Sequence, residues 1–173
     1  MARGAGDPDV LLETTRLLLR PWLVEEAVVQ REMWLERDAR VPPHRRIDAD
    51  GHPTLAAFET SIRAGNPSSA GLLAVERKAD GDVIGYCGLV GGTGAHEPEL
   101  AFELLRRCWG QGYATEAGWA VLDWARASGH DRLGASVWDW NVASRRVLAK
   151  LGFTESDREE TPYGINLMTT RGL

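Results

Sequence analysis

The stretch from Glu99 to Ala117 constrains this chain most. It begins within a strand that runs to Leu105, Arg106 and Arg107 make a short basic turn, and Gly110 and Gly112 follow two residues apart. A helical pattern then opens at Gly112 and runs to Ser128, with Gly129 to end it. A helix start leaves its first backbone amides without intrahelical acceptors. Glycine lets a ligand approach such amides with no side chain in the way. The joint therefore predicts a cradle for a phosphorylated ligand.

The rest of the chain supplies a framework for that joint. Thr15 to Trp22 reads as a first strand, with Pro21 suited to its end. Val24 to Arg37 has helical spacing, with Ala27, Val28, Met33, Trp34 and Leu35 available for a buried face. Val41 to Pro53 is rich in proline and charge and reads as a loop. Thr54 to Arg63 predicts a second helix, closed by Gly65, Asn66 and Pro67. Gly71 to Arg77 and Val83 to Val90 form a hairpin across Lys78 to Asp82, and Gly91 to His96 is a turn into the Glu97 to Leu105 strand.

Beyond the Gly112 helix, where Trp119 and Trp124 are expected in the core, Arg132 to Trp138 reads as a strand. Asn141 to Leu151 reads as a helix capped by Asn141 and stopped by Gly152. Phe153 to Ser156 and Tyr163 to Thr169 are short strands. The order predicts one α/β domain over residues 1–173, with a mixed sheet and helices on its faces. The strands flanking the Gly112 helix should be parallel.

Composition removes several classes. A net charge of −5 argues against a general nucleic-acid binder and mildly suits a cationic acceptor such as an amine. Met1 to Val10 lacks the apolar core of a signal peptide and is expected to be loose; no apolar run approaches a membrane span. Cys87 and Cys108 fit reduced thiols of a cytoplasmic protein, and His44, His52, His96 and His130 have no metal-ligand spacing. No metal is expected.

Two segments, Arg107 to Ala117 and Asn141 to Phe153, stand about thirty residues apart with a strand between them. Together they resemble the GNAT N-acetyltransferase superfamily, and more closely its RimJ/RimL-type branch. The first matches the Arg/Gln-x-x-Gly-x-Gly/Ala acetyl-CoA loop at Arg107, Gly110 and Gly112; its Trp109-Gly-x-Gly-Tyr-Ala-Thr-Glu-Ala117 wording is typical of the branch. The second matches the Asn-x-x-Ser…Lys-x-Gly-Phe helix, and Thr15 to Arg20 is similar to the family's first strand.

The resemblance implies a mostly antiparallel sheet of six to seven strands with about four helices. It implies acetyl-CoA as co-substrate, an amine acceptor (small molecule or protein N-terminus) and a homodimer. The coenzyme contacts it implies are Phe102, Leu104, Leu105, Arg106, Arg107, Gly110, Gln111, Gly112, Tyr113, Ala114, Thr115, Asn141, Ser144 and Arg145. Amides from Gly110 to Ala114 would meet the diphosphate, and the backbone of Phe102 to Leu105 would pair with the pantetheine arm like an added strand.

Acyl transfer from a thioester to an amine needs a base, a carbonyl-oxygen donor and care of the thiolate. Glu99 and Glu103 share one strand face by alternation. Glu99 occupies the place of a superfamily general base, with Glu103 the runner-up. Ser144 is the candidate acid, standing where many members carry a tyrosine. A backbone amide near Leu104 is the candidate donor to the thioester oxygen. Cys108 reads as a packed thiol rather than an acyl carrier. Two alternatives remain at this point. One is a non-catalytic acyl-CoA-binding regulator on the same fold. The other is a dinucleotide-binding protein, since Gly110-x-Gly112-x-x-Thr115 falls one residue short of the Rossmann fingerprint.

Overall fold

The computed structural model describes residues 11–65, 71–91 and 97–173. The readings of Met1 to Val10, of Asn66 and Pro67 and of the turn over 92–96 lie outside those residues.

Eight strands form one sheet in the order β1-β2-β3-β4-β5-β6-β8-β7. They are β1 (Leu12–Glu13), β2 (Leu17–Arg20), β3 (Leu72–Arg77), β4 (Val83–Gly91), β5 (Pro98–Leu104), β6 (Arg132–Trp138), β7 (Thr154–Thr161) and β8 (Gly164–Gly172). The helices are α1 (Ala27–Glu36), α2 (Leu55–Arg63), α3 (Tyr113–Ala127) and α4 (Val142–Lys150). The strand count exceeds the expected six to seven. The added β1 is only two residues long and pairs through Leu12↔Leu19 and Glu13↔Leu18. The last two strands are also longer than expected. β7 reads Thr-Glu-Ser-Asp-Arg-Glu-Glu-Thr and is exposed along nearly all its length, so no apolar alternation announces it.

Every strand pair is antiparallel except β5 with β6, which is parallel as the intervening helix requires. A Rossmann framework needs several adjacent parallel strands, so the described sheet does not fit it.

α3 lies on one sheet face because its buried residues fall at helical spacing: Ala117, Gly118, Val121, Leu122 and Ala125. They pack on Leu17, Leu19, Cys87, Leu100 and Leu104 of the sheet. A Cβ on Gly118 would stand 2.6 Å from Leu151 Cδ1, so this glycine lets α3 approach the end of α4. Trp119 falls outside that stripe. It is exposed, contrary to expectation, with the Arg171 guanidinium 4.6 Å from its ring centre. Trp124 does pack against the core.

α1 corrects a second expectation. Only Ala27 and Met33 are buried, while Val28 and Leu35 face solvent. The entry to α1 is held by charge as well as by apolar contact. Arg20, buried at the end of β2, pairs with Glu76 of β3 at 2.7 Å and with Glu26 at 2.5 Å, immediately before α1.

The register positions the site. β5 pairs with β4 along its whole length, from Leu104↔Gly85 to Pro98↔Gly91. β6 is likewise paired with β8 from Arg132↔Gly172 to Trp138↔Asn166. Between β5 and β6 there is one bridge, Glu99↔Gly134. Past Glu99 the two parallel strands part, and the sheet opens toward their C-terminal ends.

Candidate active site

Both helices that follow the parted strands begin at the open end of the sheet, α3 after β5 and α4 after β6. Ligands of α/β sheets favour such crevices beyond the carboxyl ends of parallel strands. The free edge of β5 forms one wall. The Leu105 amide donates to the Ile84 carbonyl at 2.9 Å, so by alternation the polar groups of Phe102 and Leu104 point the other way, into the opening. The Leu104 carbonyl already accepts from the indole of Trp109 at 2.7 Å, whereas the register leaves Phe102 without a strand partner on that side.

The loop into α3 is a single 3-10 turn, Arg106–Cys108, followed by Gly110 and Gly112 at φ 73° and 82°. Left-handed backbone at both positions explains the paired glycines. Gly112 is the N-cap of α3 and offers no side chain to it. Among the described residues, the amides from Gly110 to Thr115 donate to no protein acceptor. The bare helix start adds a partial positive charge to them.

The two arginines before the loop are engaged with the protein. Arg107 pairs with both oxygens of Asp82 in the β3–β4 hairpin and holds that carboxyl below its ordinary range. Arg106 donates from its amide to Glu36 Oε2 at 2.8 Å and from its guanidinium to the Glu36 carbonyl at 2.5 Å. Cys108, the residue after Arg107, is buried and its thiol is pushed up by that burial, as befits a packed residue.

A third arginine reaches the loop from the other end of the chain. Arg16, between β1 and β2, donates from Nη1 to the Gln111 carbonyl at 3.0 Å and from Nε to Glu116 Oε2 at 2.6 Å. Its guanidinium also lies 4.4 Å from the centre of the Tyr113 ring. Glu116 Oε1 accepts from the Arg16 amide at 2.9 Å and the Thr14 hydroxyl at 2.6 Å. Burial opposes its charge, yet these donors hold the Glu116 carboxyl below the ordinary range. Beside this cluster, Thr15, Arg16, Arg77, Lys78, Ala79 and Tyr113 line a recess of about 310 Å³.

At the α4 end, Asn141 is the N-cap, and its Oδ1 accepts from the Ser144 amide at 3.1 Å. Ser144 is half-buried in the first turn. Arg145 turns back to the Asp139 carbonyl at 2.8 Å.

Glu99 and Glu103 do share a face of β5, but their surroundings differ. Glu103 is gripped by Arg37 through Nε at 2.8 Å and Nη2 at 2.5 Å, and by the Tyr86 hydroxyl at 3.0 Å. Burial and the Glu103 charge push the Tyr86 phenol above its ordinary range, so it remains a donor. Glu99 pairs in the last bridge before the opening, and among the described residues its carboxylate accepts a single hydrogen bond, from Ser136 Oγ at 3.1 Å. On the same side, Trp138 and Trp140 lie nearly parallel with ring centres 6.2 Å apart, and Arg40 stands 4.3 Å from the Trp140 ring centre.

A parted parallel strand pair ending at an uncapped, glycine-entered helix is the arrangement that the sequence resemblance anticipates, and comparison with known proteins gives it a family. A profile described as an acetyltransferase (GNAT) domain matches residues 16–154. The chain belongs to the GNAT acetyltransferase family. The uncharacterized N-acetyltransferase YoaA of Bacillus subtilis (strain 168) is 30% identical over 102 residues, 54% of this chain and 58% of that protein. The chain spans about half the length of the curated relatives it matches. Among solved structures, a GNAT-family acetyltransferase from Bacillus anthracis superposes with a TM-score of 0.77 at 17% identity, covering 93% of this chain and 97% of its own. Mycobacterium smegmatis RimJ in complex with CoA-disulfide gives 0.64 at 21% identity, covering 90% and 81%. At such identities these two show the GNAT fold.

Arg16, Ser136 and Tyr86 were not singled out from sequence as parts of this site. Arg16 lay within a motif read only as a strand, Thr15 to Arg20, and its partners are 95 and 100 residues away. Ser136 could have been found by alternation, since it shares a strand face with Gly134, the partner of Glu99.

Proposed function

We propose that this GNAT chain is an acetyl-CoA-dependent N-acetyltransferase of the RimJ/RimL type, moving an acetyl group directly to a primary amine. The observation that carries the proposal is the bare α3 start, with unpaired amides from Gly110 to Thr115 at the mouth of the parted β5 and β6 strands. That donor set fits a diphosphate, which needs several amides and no opposing carboxylate. RimJ of M. smegmatis, of like fold, is in complex with CoA-disulfide, in keeping with this reading.

When bound, acetyl-CoA supplies the activated thioester. The chain's own residues do the rest. The amides from Gly110 to Thr115 hold the diphosphate, and the free edge at Phe102 orients the pantetheine amides by strand-like pairing. The Leu104 amide, pointing into the opening, donates to the developing oxyanion.

Glu99 takes the proton that the amine nitrogen loses, directly or through one water. Its single partner among the described residues, Ser136, leaves lone pairs available. Glu103 is bound by three donor groups, so its role is to anchor the end of α1 through Arg37. Ser144, at the first turn of α4, hydrogen-bonds the departing sulfur, and the thiolate takes up a proton from solvent, which balances the one Glu99 removes from the amine. Arg106, Arg107 and Arg145, each tied to the protein, shape the walls. A free α-amine with a pKa of about 8 suits a carboxylate base better than a lysine near 10.4.

Glu99→Gln tests the assignment. The turnover number should fall by about 100-fold, the usual scale of lost general-base catalysis. The residual rate should climb with pH toward the pKa of the amine, because only amine that has already lost its proton then reacts. Coenzyme affinity should stay near that of the unaltered chain. An unchanged rate and profile would move the base to Glu103 or to solvent. The activity itself is tested with a panel of amines, read by thiol release and product mass. Tight coenzyme binding without turnover of any amine would favour a binding regulator instead.

A further inference from the structure

The Arg16 cluster extends the acetyl-CoA reading, on which it rests. We propose that Arg16 is a positioning residue that holds the coenzyme loop ready for the diphosphate, in two ways.

The first is directional. In a trans peptide the carbonyl and the following N–H point in opposite directions. Arg16 Nη1 holds the Gln111 carbonyl at 3.0 Å, on the β1–β2 side of the loop. The Gly112 N–H is thereby aimed away from that side. Gly112 sits at φ 82°, where a glycine flanked by another left-handed glycine, Gly110, has little intrinsic preference. Without Arg16 the peptide between Gln111 and Gly112 is free to turn over.

The second is electrostatic. Glu116 stands in the first turn of α3, where a carboxylate is attracted to the same free amides that the diphosphate needs and repels any anion bound to them. Both its oxygens are instead drawn toward the β1–β2 turn, by the Arg16 amide, the Arg16 guanidinium and the Thr14 hydroxyl. Arg16 also cancels the charge. The tether is itself anchored: the Arg16 carbonyl accepts from the Lys78 amide at 2.9 Å, fixing the turn to β3.

The Arg16 side chain is 45% exposed, and exposed ion pairs add little to stability. Its removal should therefore act on coenzyme recognition more than on folding. The test compares Arg16→Ala, Arg16→Lys and Arg16→Ala/Glu116→Gln with the unaltered chain, using CoA titration calorimetry, steady-state kinetics and thermal melts. Arg16→Ala should raise the CoA dissociation constant and the acetyl-CoA KM by about tenfold, a loss of about 1.4 kcal/mol, with a much smaller change in kcat. Adding Glu116→Gln should recover part of that loss, because the uncompensated carboxylate is gone. Arg16→Lys keeps the charge and should fall between the unaltered chain and Arg16→Ala.

Equal affinities for Arg16→Ala and the unaltered chain would overturn the proposal. So would a loss in kcat and melting temperature that Glu116→Gln does not relieve, which marks a merely structural arginine. Failure of the unaltered chain to bind CoA would instead overturn the acetyl-CoA reading itself, before any Arg16 variant is compared.

Discussion

Two helices start at the open end of this sheet, and they start differently. α4 begins at Asn141, whose side chain occupies the Ser144 amide at 3.1 Å. α3 begins at Gly112, which has no side chain and lies in the left-handed region. A helix that exists only to pack does better with a capping residue, which stabilises it by about 1 kcal/mol. α2 follows that rule, with Thr54 accepting from the Ala57 amide. α3 is the longest of these helices and forgoes the stabilisation. On the proposed function its amides are kept for a ligand, and Arg16 draws the Glu116 carboxylate toward the β1–β2 turn.

The contrast can be broken at either end. The largest effect is expected from Gly112→Trp, whose Cβ would stand 3.4 Å from Arg16 Nη2 and whose ring would crowd the start of α3 and its tether. The CoA dissociation constant should rise by about 100-fold or more, near 2.7 kcal/mol, in calorimetric titration. Stability should fall by only about 1–2 kcal/mol, the strain of a left-handed non-glycine residue. Unchanged affinity would show that the bare start of α3 is not the ligand site. At α4, Asn141→Ala should cost about 1 kcal/mol of stability in a denaturant melt through the lost cap. Asn141→Asp keeps the capping oxygen and should restore that stability. Because it lacks the side-chain amide donor that the coenzyme contact implied for Asn141 would use, it should still weaken CoA binding several-fold. The smallest effect is expected at α2, where Thr54→Ala should lower stability by about 0.5–1 kcal/mol and leave coenzyme affinity untouched.

Local signals in the sequence were enough for much of this. Asn141 reads as a cap from its place before a helical pattern, and it is one. β6 runs from Arg132 to Trp138 as its alternation predicts. The paired glycines marked the loop into α3 as a place of close backbone approach, and the structure adds that both lie in the left-handed region, at φ 73° and 82°. The rest depended on partners far along the chain. Arg106 and Arg107 look like free cations in sequence, yet Glu36 and Asp82 engage them. Glu99 and Glu103 look equivalent until Arg37, 66 residues away, grips one of them. Trp119 looked like core because tryptophan usually buries, but the stripe of Val121, Leu122 and Ala125 turned it outward. β7 gave no pattern because both its faces meet solvent.

The most direct measurement is a crystal structure of the chain grown with coenzyme A. The account predicts the diphosphate oxygens within hydrogen-bond reach of the amides between Gly110 and Thr115, with the pantetheine arm alongside Phe102. A diphosphate seated at the α4 start or in the recess beside Arg77 and Lys78, with the α3 amides left to water, would contradict it.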